Sequence, residues 1–87
     1  MKHLALPRFW HCYQALPASV QRLADKNYAL LKADPHHPSL QFKRVGRTKQ
    51  IWSVRVGDHY RALGVEKAEG LVWFWIGTHA EYNKLLR

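Results

Sequence analysis

Apolar positions in the first third of the chain recur every three or four residues, and from residue 40 onward they alternate. Phe9, Tyr13 and Leu16 stand at helical spacing, and Pro7 suits a first-turn position, so the pattern predicts a short helix near residues 7–15. Leu16-Pro17 breaks it. In a second helix Val20, Leu23, Ala24, Asn27, Tyr28 and Leu31 line one side, while Gln21, Arg22, Asp25, Lys26 and Lys32 face water. Asp34-Pro35 ends that helix, because a residue before proline is pushed out of the helical region. His36-His37-Pro38-Ser39 reads as a loop.

The period then changes to two. Leu40 to Val45 is expected as a strand, followed by a polar turn at Gly46-Arg47-Thr48-Lys49. Ile51 to Val56 alternates, with Trp52, Val54 and Val56 on one face and Ser53 and Arg55 on the other. Gly57-Asp58 turns into His59 to Glu66, and Glu69-Gly70 turns into Leu71 to Gly77. Leu71 to Ile76 is apolar at every position, the mark of a strand covered on both sides. Thr78-His79-Ala80-Glu81 has the form of a capping box opening a C-terminal helix through Leu86. His3 to Leu6 adds a possible edge strand. The connections are too short for crossover helices, so the expected architecture is α+β: two N-terminal helices packed on one face of a small, largely antiparallel sheet, with a short C-terminal helix. The other face is open except where the last helix crosses it, and Arg55 and Arg61 point toward it.

Eighty-seven residues are expected to form a single domain, 1–87. Length excludes a doubly wound enzyme fold, and no apolar run is long enough to cross a membrane. The stretch before Pro7 is too short for a secretory signal, which points to the cytoplasm. Cys12 stands alone, so neither a disulfide framework, a disulfide-linked partner nor a cysteine-rich zinc site is expected. His36-His37 lacks ligand spacing and a third donor, and no metal or cofactor is implied.

The formal charge of +8 is uneven. Residues 43–61 hold six basic side chains (Lys43, Arg44, Arg47, Lys49, Arg55, Arg61) against Asp58, a net of +5 in nineteen positions. Such a field favours a polyanion or an acidic protein partner; the plain alternative is a solvated surface that keeps the protein soluble.

Residues 52–63, Trp52-Ser53-Val54-Arg55-Val56-Gly57-Asp58-His59-Tyr60-Arg61-Ala62-Leu63, resemble the strand–turn–strand signature of the RelE/ParE toxin superfamily of type II toxin–antitoxin systems. The helix pair around Leu16-Pro17, the Asp34-Pro35…Leu40 entry into the sheet and the closing Trp75-Ile76-Gly77-Thr78-His79…Tyr82 extend the similarity over roughly residues 9–86. The resemblance implies a microbial RNase-like fold and a toxin neutralised by a cognate antitoxin. Within the superfamily the RelE-like branch cleaves mRNA at the ribosome, whereas the ParE-like branch inhibits DNA gyrase by binding, without catalysis. A folded but non-toxic remnant that binds an antitoxin is a third possibility.

Metal-independent RNA cleavage needs a base for the 2′-hydroxyl, an acid for the leaving 5′-oxygen and cations for the phosphorane. Arg55 and Arg61, matched to the family's basic strand residues, lie on adjacent strands joined by a turn and suit phosphate; otherwise they are outward charges or antitoxin contacts. His79 stands where ribonuclease-branch relatives keep a basic or imidazole residue and is the proton-transfer candidate. Tyr82, three positions on, matches the family's C-terminal tyrosine, unless it only closes the core. Glu81 is explained by the capping box. Lys43, Arg44, Arg47 and Lys49 are expected to bind RNA backbone. Trp52, Trp73 and Trp75 are core residues unless exposed for stacking, and Cys12 is an inert thiol. Relatives of the ribonuclease branch often carry a further arginine or lysine beside the end of the last strand, where this chain has Ala80.

Overall fold

Pro7, preset for a first turn, starts α1 (Pro7–Gln14) behind an extended Leu6, whose carbonyl accepts from the Phe9 and Trp10 amides at 2.9 and 3.4 Å. Pro17 then opens α2 (Ala18–Ala33), and its carbonyl receives the Val20 and Gln21 amides at 2.9 and 3.0 Å. The computed structural model describes residues 2–47 and 50–86.

Strands β1 (His3–Ala5), β2 (Lys43–Arg44), β3 (Ile51–Val56), β4 (Tyr60–Lys67) and β5 (Gly70–Thr78) form one sheet in the order β1-β5-β4-β3-β2. Every pairing is antiparallel except β1 with β5, which runs parallel. Helix α3 (His79–Leu85) follows β5 directly. The expected α+β architecture holds, with five strands where the alternation indicated three or four and a possible edge.

The core lies between α1, α2 and the sheet. Leu31, Leu40, Val54, Val56, Ala62, Leu71, Trp73 and Ile76 are buried there, and Phe9, Tyr13, Leu16 and Leu23 pack against them from the helices. At a few tens of cal/mol per Å² of apolar surface, this face supplies most of the drive to fold. The cover is incomplete. Between α1 and α2 an apolar hollow of about 350 Å³ remains, floored by Val54, Val56, Ala62 and Ile76, with Trp10 and Tyr28 exposed at its rim. No helix among the described residues is long and apolar enough to cross a membrane.

Three expectations change in detail. Leu40 to Val45 is not one strand. Pro38–Leu40 winds into a 3-10 turn capped by His37, whose Nδ1 receives the Ser39 amide at 3.2 Å. Gln41 then adopts a left-handed φ of 45°, Leu40 is driven into the core and only Lys43–Arg44 pairs with β3. Gln21, expected in water, is half-buried and donates from Nε2 to the Tyr13 carbonyl at 3.0 Å, linking the helices. Tyr28, expected inside, is 42% exposed.

The β4–β5 ladder shifts register between Leu63 and Gly64. Leu63 faces Trp75, Gly64 faces Trp73, and Phe74 has no partner on β4. Such a bulge turns two successive residues to one side. Trp73 thus joins the core under the helices, as expected, and Phe74 lies beneath the Arg8 guanidinium, 5.7 Å from its ring centroid.

Candidate functional site

The face of the sheet turned away from α1 and α2 is set by register. Arg55 on β3 stands directly opposite Arg61 on β4, and Arg61 in turn opposes Gly77 on β5. Alternation gives this face a second row, Lys43, Ser53, Leu63 and Trp75. Helix α3 covers part of it, with Tyr82 buried and Ser53 and Leu63 sealed beneath. Gly77 is needed here: a Cβ would come within 2.5 Å of the Trp75 ring and 3.2 Å of Glu81 Oε1.

The two arginines meet at the β3–β4 turn. Arg55 Nε donates to the Gly57 carbonyl at 3.0 Å, and Arg61 Nη1 donates to the same oxygen at 3.3 Å and to the Tyr60 carbonyl at 2.8 Å. A carbonyl oxygen has two lone pairs and can receive both. Arg55 also pairs with Asp58 through Nη2. Its backbone is held from the other side of the sheet, where Asn27 of α2 donates to the Arg55 carbonyl at 3.1 Å. The side chain of Arg55 is 29% exposed and that of Asp58 is 75% exposed, so water screens their attraction. Burial lowers the Arg61 pKa from its ordinary value and the like charge of Arg55 lowers it further, with Tyr82 and Asp58 opposing. Two positive groups on one neutral carbonyl form a site that an oxyanion would stabilise.

Helix α3 brings the remaining groups. Thr78 and Glu81 close the anticipated capping box: Thr78 Oγ1 accepts the Glu81 amide at 3.2 Å, and Glu81 Oε1 accepts the Thr78 amide at 3.2 Å and its hydroxyl at 2.9 Å. Glu81 is thereby occupied. The box fixes the start of the helix, placing an exposed His79 with its ring 5.7 Å from that of Tyr82. The His79 amide donates to the His59 carbonyl at 2.8 Å, which ties α3 to the arginine turn.

Arg55, Arg61, His79 and Tyr82 therefore surround one end of the open face. Lys43, opposite Ser53, lies on the same face, and Arg47 is exposed in the following bend. Arg44 is different. It stands opposite Trp52, with its guanidinium 5.0 Å from that ring and 3.9 Å from Glu66, on the helix-bearing face. Trp52 itself stacks on Phe42 at 4.5 Å and donates to Glu66 at 2.8 Å, so neither residue extends the arginine cluster. Lys49 lies outside the described residues. Asp58 and His59 were not singled out from sequence, although both sit within the strand–turn–strand motif.

The ParE-like toxin domain family matches residues 18–84, most of the chain. No curated protein resembles the chain closely enough in sequence to count as a match. In fold, the chain is similar to one in the RelB–RelE antitoxin–toxin complex of Methanococcus jannaschii, with a TM-score of 0.75 at 10% identity over 97% of this chain and 99% of that one. It is similar also to the YoeB/ParE toxin of Agrobacterium tumefaciens, with a TM-score of 0.67 at 18% identity over 91% and 99% of the two chains. A chain of the archaeal RelE–RelB complex of Pyrococcus horikoshii gives 0.66 at 16% identity over 88% and 92%.

Proposed function

Given that this chain belongs to the ParE-like toxin domain family, we propose that it is the toxin of a type II toxin–antitoxin system and a metal-independent, ribosome-dependent endoribonuclease that cleaves translated mRNA. The observation that carries the reading is the convergence of Arg55 and Arg61 on one carbonyl oxygen, with His79 and Tyr82 beside them. In the reaction the 2′-oxygen of the nucleotide attacks the adjacent phosphorus. The arginine pair receives the non-bridging oxygens and stabilises the phosphorane. His79, as imidazolium, protonates the departing 5′-oxygen, and the buried Tyr82 backs Arg61. Lys43 and Arg47 hold flanking phosphates, and the ribosome presents the message in an attackable conformation. The reading takes residues 1–87 as one toxin domain working in the cytoplasm, where ribosomes are.

The test is to map mRNA ends in a translation extract. New ends inside coding regions are expected with the native chain and at least about tenfold fewer with Arg61→Ala, the scale of losing one preorganised donor to the transition state. Growth arrest without new ends rejects the reading.

The family's ParE-like description favours a second reading, a gyrase inhibitor that acts by binding. Toxicity would then survive alanine at Arg55, Arg61 and His79. Under either reading the partner is a cognate antitoxin. The +8 charge and the open basic face suit an acidic segment that folds on binding, and two of the similar folds were solved as antitoxin–toxin complexes.

A further inference from the structure

We propose that His59 is the second proton-transfer residue of this site, the general base that works with His79 as acid across the end of the β4–β5 ladder. The proposal rests on the ribonuclease reading above, and its support is the backbone bond that joins the two residues at the mouth of the arginine turn. Arg61 faces Gly77 and Tyr60 faces Thr78 in the last rung of the ladder, and just beyond it lie His59 in the turn and His79 at the start of α3. The 2.8 Å bond from the His79 amide to the His59 carbonyl joins the two residues directly.

The chemistry requires such a partner. In-line displacement puts the attacking and leaving oxygens on opposite sides of phosphorus, so one imidazole cannot serve both in a single step. The other neighbours are unsuited. Asp58 is paired with Arg55, Glu81 is held by the capping box, the arginines stay protonated, and Tyr82 is buried with a phenol that is a poor base at neutral pH. His59 is exposed, and its ring has no hydrogen-bond partner among the described residues. As the O2′–P bond forms, neutral His59 takes the 2′-proton. As the P–O5′ bond breaks, His79 gives its proton to O5′. The products are a 2′,3′-cyclic phosphate and a 5′-hydroxyl, with His59 protonated and His79 neutral until each exchanges with water.

Single-turnover cleavage of ribosome-bound mRNA by the native chain, His59→Gln and His79→Gln, followed between about pH 5 and 9, tests the pairing. The charged and titratable groups around the two residues are Arg55 from β3, Asp58 from the turn, Arg61 from β4, and Glu81 and Tyr82 from α3. The native profile should be bell-shaped. Each variant should lose about 10²–10⁴ in rate and one limb of the bell, with little change in apparent substrate affinity. Replacing the bridging 5′-oxygen by sulfur, whose thiolate leaves without protonation, should rescue His79→Gln and leave His59→Gln slow. Free imidazole should restore part of the rate to His59→Ala, which a merely structural role would not allow. If His59→Gln cleaves within about threefold of the native rate and keeps both limbs, the pairing is overturned while the ribonuclease reading stands. If the native chain cuts nothing, the reading itself has failed and the pairing falls with it.

Discussion

At Gly57 one residue does two jobs. Its φ of +67° makes the tight turn between β3 and β4, and its carbonyl is the point on which Arg55 and Arg61 meet. The turn also lies close to α2: a Cβ at Gly57 would stand 2.6 Å from Leu23 Cδ2. Gly57→Ala should therefore cost about 1–2 kcal/mol, from left-handed backbone strain and the displacement of Leu23. Urea denaturation reads the stability, and RNA affinity reads the aim of the arginines. A variant as stable as the native chain that binds RNA equally well would show that neither the turn nor the aim of the arginines needs glycine here.

At the scale of elements, β1 is held in part by a titratable side chain. This three-residue strand pairs in parallel with β5, and His3 Nδ1 accepts the Trp73 indole N–H at 3.1 Å while its ring meets Tyr28 edge-on. A protonated imidazole has no lone pair to accept that bond. Burial, then nearby positive charge including that of Lys32, lowers the His3 pKa below its ordinary 6.5. The unfolded chain thus binds this proton more readily than the folded one, and stability falls as pH drops through about 6.5 toward the lower folded value. His3→Gln, which can still accept from Trp73 but does not titrate, should flatten the dependence of Tm on pH in that window; an unchanged slope would show that His3 does not anchor the edge. Neither the direction of β1 nor this bond was legible in the sequence, because three residues carry no period and the partner is 70 positions away. The longer elements were legible, since α2, β3 and β4 each repeat their pattern over at least six residues, and the α3 capping box is a local signature. Leu40 to Val45 misled because its alternation looks strand-like, whereas the His37 cap and left-handed Gln41 commit the backbone first. The candidate site divides in the same way. Arg55 and Arg61 could be paired by counting along one hairpin, but Arg44 was assigned by charge alone, which carries no information about face.

For the whole molecule, face is what separates the basic residues into groups with different work. The helix-bearing side holds the core and the apolar hollow, and Arg44 is spent there against Trp52 and Glu66. The opposite side gathers Lys43, Arg55 and Arg61 around an edge that only α3 overlaps. A single-stranded RNA lying on that side should release about 0.7 of a counterion for each phosphate neutralised, whatever its sequence. The slope of log affinity against log salt therefore counts the cations in use. Lys43→Ala should reduce its magnitude by about 0.7, and Arg44→Ala should leave it unchanged although both remove one charge from the same two-residue strand. Net charge alone predicts equal effects, because a diffuse field does not distinguish neighbours that point to opposite sides. Equal slopes for the two variants would mean that RNA reads the total charge of the chain and not one face, and the arginine pair would lose its claim to be where the message lies.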